Sequence, residues 1–152
     1  MLLSSDASQG LPNGVRLATE ADIAGIQRLI NENLDKVLPR TDEEIRELLP
    51  MWWVAVDEGE IVGTCCLEVY SRKIAELRSL VVRDKARGKG YGAALVKIAT
   101  ETAQALNIYQ VLVVTSTPEF FEALDFGPAL GEKYALFWHG SGTVKARHAP
   151  NG

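Results

Sequence analysis

The chain has 152 residues, 47% of them hydrophobic and 24% charged, which fits one globular domain and excludes overall disorder. A formal net charge of −4 argues against non-specific nucleic-acid binding, and no run approaches the roughly 18 apolar residues of a membrane span. Cys65 and Cys66 are adjacent, and His139 and His148 both lie near the C-terminus. That argues against a disulfide framework, a histidine-based triad or a zinc cluster, and points to a reducing, cytoplasmic setting.

Met1 to Gly14 is rich in Ser, Gly and Asn and reads as a flexible leader without signal-peptide character. Val15 to Leu17 reads as a short strand. Thr19 and Asp22 form an approximate capping box, and Ile23, Ile26, Leu29 and Ile30 recur at helical spacing, so a helix is expected over Glu20 to Asn31. Thr41-Asp42-Glu43-Glu44 is a full capping box for a second helix, which Pro50 stops. Trp52 to Asp57 and Ile61 to Tyr70 read as strands joined by a Glu58-Gly59 turn, and Ile74 to Val82 as a third. Arg83 to Lys89 is a loop. Ala93 to Leu106 carries a long helical pattern with Asn107 as its C-cap. Ile108 to Thr115 is a β-branched strand, Pro118 suits a first helical position, Glu119 to Leu124 is a short helix, and Tyr134 to Trp138 a last strand. The expected architecture is α+β: an antiparallel meander, then a parallel β-α-β unit, with helices flanking one mixed sheet. The domain is expected over residues 15–138, with residues 139–152 as a flexible tail.

Eight of the 16 basic residues lie between Arg72 and Lys97, against only Glu76 and Asp84. Within that segment an apolar strand runs into Arg87-Gly88-Lys89-Gly90-Tyr91-Gly92 and then a helix. Glycines allow tight turns and close approach of a ligand. The unpaired N–H groups and dipole at a helix start attract anions. Walker A is absent. The pattern GxGxx[GA] matches at Gly88, Gly90 and Ala93, but the place for a ribose-binding acid holds Thr115-Ser116-Thr117 instead.

The run Arg87 to Gly92 resembles the [QR]xxGx[GA] loop of the GNAT superfamily of acetyl-CoA-dependent N-acetyltransferases, and the order of elements agrees over about residues 15 to 138. The resemblance implies that backbone N–H groups of Arg87, Gly88, Lys89, Gly90, Tyr91, Gly92 and Ala93 hold the coenzyme A pyrophosphate. It also implies that the pantetheine arm lies along Leu80-Val81-Val82. No metal is expected.

An acceptor amine titrates near ~10, so a base must take its proton. Glu76, on the strand beside the expected thioester, is the candidate. The backbone N–H of Leu80 is the family-type oxyanion donor. Many relatives carry a tyrosine acid in the pattern FYxxxGF. Here the run is Phe120-Phe121-Glu122-Ala123-Leu124-Asp125-Phe126, so Phe121 lacks the hydroxyl and Asp125 replaces a glycine. Aspartate tolerates left-handed geometry. Ser116 or a water is the substitute acid, with Ser79 a weaker choice. Cys65, Cys66, Trp52 and Trp53 read as core packing.

Leu38-Pro39-Arg40-Thr41, Ala75 to Leu80 and Pro118 to Phe121 resemble the short, kinase-less N-acetylglutamate synthases, a subgroup that carries the double phenylalanine. This implies L-glutamate as acceptor and a place in arginine biosynthesis. Arg40 and Arg78 are the expected carboxylate clamps, since guanidinium forks match carboxylates. Arg78 shares a strand face with Glu76. Other small amines, a protein N-terminus, or a non-catalytic coenzyme A-binding module are the alternatives. Small acetyltransferases of this type often dimerise, so a homodimer is an expected state; no nucleic-acid or membrane partner is expected.

Overall fold

A computed structural model describes residues 14–128, 136–138 and 140. The chain divides into two compact units, Met1–Pro118 and Glu119–Gly152. In the first, five strands form one sheet in sequence order: β1 (Gly14–Leu17), β2 (Trp52–Asp57), β3 (Glu60–Val69), β4 (Ile74–Val82) and β5 (Gln110–Leu112). The first four pair antiparallel, and β5 pairs parallel to β4. The expected meander and β-α-β unit are both present.

Alternation along β2 sends Trp52, Val54 and Val56 to one face. There they meet Ile26 and Ile30 of α1 (Ile23–Asn31) and Ile45 of α2 (Asp42–Leu48) in one apolar cluster. The opposite face receives α3 (Tyr91–Ala105). Gly63 lies in β3 under that helix: a Cβ there would come within 3.1 Å of Leu95 and 3.2 Å of Ala55, so its missing side chain lets helix and sheet approach.

Caps explain most element ends. The Thr41 hydroxyl accepts from the Glu44 N–H, and the Glu44 carboxylate accepts from the Thr41 N–H, closing the expected capping box. The first helix differs at its start. Glu20–Asp22 is a 3-10 turn, and Asp22 accepts from the Thr19 N–H at 2.8 Å and from both terminal nitrogens of Arg16 at 2.7 and 2.9 Å. Helix α3 begins at Tyr91, earlier than the apolar pattern indicates, because Gly90 takes the left-handed cap conformation at φ 86°. It ends at Ala105 with Asn107 left-handed at φ 60°.

Strand β5 is the main departure, three residues where Ile108 to Thr115 was expected. Its partner β4 stops pairing at Glu76, so β-branched residues beyond Leu112 have no ladder to join. In the expected last strand, Tyr134 and Ala135 lie outside the described residues, and residues 136–138 are not in a strand. Residues 1–13, His139 and residues 141–152 also lie outside them.

Helix α4 (Pro118–Glu122) leads into the second unit. The Phe126 N–H donates to the Phe121 carbonyl and the Asp125 N–H to that of Glu122, with Asp125 at φ 71°. This is the paired bonding of a Schellman stop, with aspartate in the left-handed place glycine usually takes. Phe121 sits edge-on to Phe120 and Phe126, with ring centroids 5.0 and 5.4 Å away.

Candidate active site

The central feature is an irregularity in β4. Thr64 pairs with Val81 and Cys66 with Arg78, so the single residue Cys65 faces two residues, Ser79 and Leu80. That is a β-bulge, and Ser79 pays for it with φ 56°. Pairing to β5 ends at Glu76 with Leu112, and only Leu77 and Arg78 separate that pair from the bulged stretch. Beyond that point the β5-facing backbone of β4, including Leu80, Val81 and Val82, has no strand beside it among the described residues. Among the described residues the sheet is therefore open along the segment expected to hold the pantetheine arm.

Past Val82 the chain makes a 3-10 turn, Asp84–Ala86, and then the glycine loop. Gly88 and Gly90 have φ 82° and 86°, and a Cβ on either would meet nothing within 4 Å. Conformation alone calls for glycine here, and the space above the loop is open. The α3 ladder starts with the Ala94 N–H donating to Gly90. The N–H groups of Tyr91, Gly92 and Ala93 therefore lie outside the ladder, at the positive end of a 15-residue helix. Arg87 behaves differently from the rest: its N–H donates to the Asp84 carbonyl and its Nε lies 3.1 Å from the Asp84 carboxylate. Lys89 Nζ lies 2.8 Å from the Asp57 carboxylate, which also accepts from the Tyr91 hydroxyl. The Lys89 hydrogen bond holds Asp57 below the usual carboxylate range and raises Lys89 in turn. Asp57 thus ties the loop to the end of β2. Open donors, left-handed glycines and an unpaired strand edge fit a chain of phosphates followed by an extended amide arm.

On the α1–α2 face, charged groups meet beside the bulge. Glu68 of β3 pairs across the ladder with Glu76, and Cys66 with Arg78. Glu68 Oε1 accepts from Arg40 at 2.7 Å and from Arg78 at 3.1 Å. The Arg40 Nε also donates to Ser79 Oγ at 3.1 Å, and its guanidinium stands 5.5 Å from the Trp52 ring centroid. The Arg40 side chain is only 7% exposed, against 31% for Arg78. Burial acts to lower the Arg78 pKa, but the Glu68 and Glu76 carboxylates outweigh it and raise it. Tyr70 donates to Glu76 Oε1 at 2.6 Å. Desolvation of its hydroxyl, though the residue is 54% exposed, and then the Glu76 bond push Tyr70 up to about 12.

Sequence reasoning named Arg40, Arg78 and Glu76, and the fold brings all three to one face. It missed Glu68 and Tyr70, whose place beside the meander appears only once the strands are in register. Ser116 lies exposed on the connection after β5. Cys65 and Cys66 are fully buried on opposite faces, and burial pushes Cys66 up to about 12 and Cys65 well above its usual value. Neither is a nucleophile in that state. Among the described residues, no group of three or more His, Cys, Asp or Glu is placed to hold a metal ion, and no helix is long and apolar enough to cross a membrane.

A strand edge without a described neighbour and a helix start without a side-chain cap thus lie at successive points of the chain on a mixed sheet. The model of the acetyltransferase (GNAT) family matches residues 23–126. An uncharacterized N-acetyltransferase of Chlorobaculum tepidum is 32% identical over 114 residues, 74% of each chain. An amino-acid acetyltransferase of Mycobacterium tuberculosis is 30% identical over 111 residues, 70% of this chain but only 64% of that protein's length. N-acetylglutamate synthase from Neisseria gonorrhoeae, solved with coenzyme A and N-acetyl-glutamate, shares the fold at a TM-score of 0.71 and 22% identity, over 93% of this chain and 33% of that one. The chain belongs to the GNAT acetyltransferase family. It is an acetyl-CoA-dependent N-acetyltransferase with the mixed five-stranded sheet of that fold.

Proposed function

We propose that the protein acetylates the α-amino group of a free amino acid, with L-glutamate as the first acceptor to test. One observation carries this reading: Arg40 and Arg78 converge on a carboxylate beside Glu76, so the acceptor face is already arranged for carboxylate chemistry. The similarity to an amino-acid acetyltransferase supports it.

Acetyl-CoA supplies an activated thioester. In this reading the N–H groups of Gly88 to Ala93 bind its phosphates, with Arg87 and Lys89 beside them, and the exposed edge at Leu80, Val81 and Val82 aligns its arm. Glu76 takes the proton of the acceptor ammonium. The Leu80 N–H stabilises negative charge developing on the carbonyl oxygen. Ser116 is the proposed proton donor to the departing sulfur, since Phe121 has no hydroxyl. Arg78, the more open of the two arginines, presents its fork to the acceptor carboxylate, and Arg40 holds the array from beneath.

The test is thiol release from acetyl-CoA with a panel of amines. Free amino acids, glutamate tested first, should give the fastest release, and spermidine and a peptide N-terminus little. Arg78→Ala should raise the KM for glutamate at least tenfold and leave coenzyme A affinity unchanged. Release with spermidine but not with amino acids would overturn the acceptor, and no release with any amine would leave a coenzyme A-binding module.

A further inference from the structure

Two arginines at one site read as a double clamp, suited to an acceptor with two carboxylates. The structure changes that count. A single oxygen, Glu68 Oε1, accepts from Arg40 and from Arg78, and the Glu68 side chain is 20% exposed. One of the two positive charges is thus balanced from inside the protein. Glu68 is also the direct cross-strand partner of Glu76, and such partners hold their Cβ atoms about 5 Å apart. A group that gives its proton to Glu76 therefore reaches the Glu68 carboxylate as well.

Resting on the amino-acid reading above, we infer that Glu68 is a specificity-determining residue that sets how many acceptor carboxylates the site balances. Arg40, Arg78, Glu68 and Glu76 carry two formal charges of each sign, and Glu44 of α2 adds a further carboxylate that feels both arginines. Arg78 then offers one fork to one acceptor carboxylate, while Glu68 and Glu76 receive the ammonium. A second acceptor carboxylate finds no unbalanced cation and meets the field of Glu68. Arg40 does not supply that cation, since its side chain is buried on Ser79, Glu68 and the Trp52 ring. The charge of Glu68 therefore acts on acceptor choice and only secondarily on the fold.

The experiment is Glu68→Gln, which keeps size and an accepting oxygen but removes the charge. Purified wild type and variant are assayed with L-glutamate and with its neutral isostere L-glutamine. The kcat/KM ratio of glutamate to glutamine should rise roughly tenfold in the variant, a size expected for one charge a few ångströms away in a partly solvated site. The rise should shrink in 1 M salt, as screening requires, with a Debye length there of about 3 Å. An unchanged ratio, with both acceptors slowed alike, would show that Glu68 only supports the arginines and would overturn the inference while leaving the amino-acid reading intact. If wild type acetylates neither amino acid, that reading fails, and the inference fails with it.

Discussion

Tyr70 shows how one hydroxyl orients a neighbouring carboxylate. Its hydroxyl donates to Glu76 Oε1 at 2.6 Å and so fixes which way that carboxylate points. With its own titration pushed to about 12, Tyr70 keeps that proton throughout the working range. Around Glu76 stand Glu68 from β3, Arg78 from its own strand, Arg40 beyond Glu68, and Glu44 of α2, which senses both arginines. Tyr70→Phe leaves these charges in place and removes only the hydroxyl. With the carboxylate no longer held in one orientation, kcat should fall severalfold while coenzyme A affinity stays unchanged. An unchanged kcat would assign Tyr70 no part in positioning Glu76.

At the scale of elements, the glycine loop and α3 form one device. Gly90 caps the helix at φ 86° with no side chain over the free donors. An alanine there would leave the left-handed conformation in the free loop, and returning to it on binding would cost roughly 1–2 kcal/mol. Gly90→Ala should weaken coenzyme A binding about tenfold by calorimetry, since 1.4 kcal/mol is tenfold in affinity. The KM for the acceptor should stay within twofold, because the acceptor face lies on the other side of the sheet. Equal weakening of both ligands would mean the loop also shapes the acceptor side. Much of this element was readable from residues: Gly88, Gly90 and the following apolar stripe specify a turn and a helix by local chemistry. The bulge was not. Its left-handed residue is Ser79, a type with no turn preference strong enough to mark it, and its cause is a count of residues across two strands. Glu68 was hidden for a related reason. Alternation marks it only as a polar position on a strand, and its partners come from other elements, Arg40 before α2 and Arg78 on β4.

For the molecule as a whole, an ion pair far from the chemistry governs acid stability. Asp22 is buried, which alone pushes its carboxyl up, but the bonds from Arg16 and Thr19 outweigh this and hold it below the ordinary value. The folded state then binds fewer protons than the unfolded chain. The stabilisation is present in full above the unfolded pKa of ~3.9, and is lost as pH falls through the lower folded value. Asp22→Asn should therefore be clearly less stable than wild type in urea at pH 7, with the gap closing toward pH 3. A constant gap would mean that shape, and not charge, holds this corner.

The bulge also has a genetic reading. One surplus residue between Arg78 and Val81 separates an open sheet edge from a closed one. Deleting it would leave Arg78 opposite Cys66 and Val81 opposite Thr64 with a regular ladder between them, and would let β5 zip further along β4. Substitutions at Ser79 or Leu80 adjust the slot, but a single-codon deletion would erase it. Tolerance to point change and intolerance to a one-residue length change are the expected mutational signature of this strand.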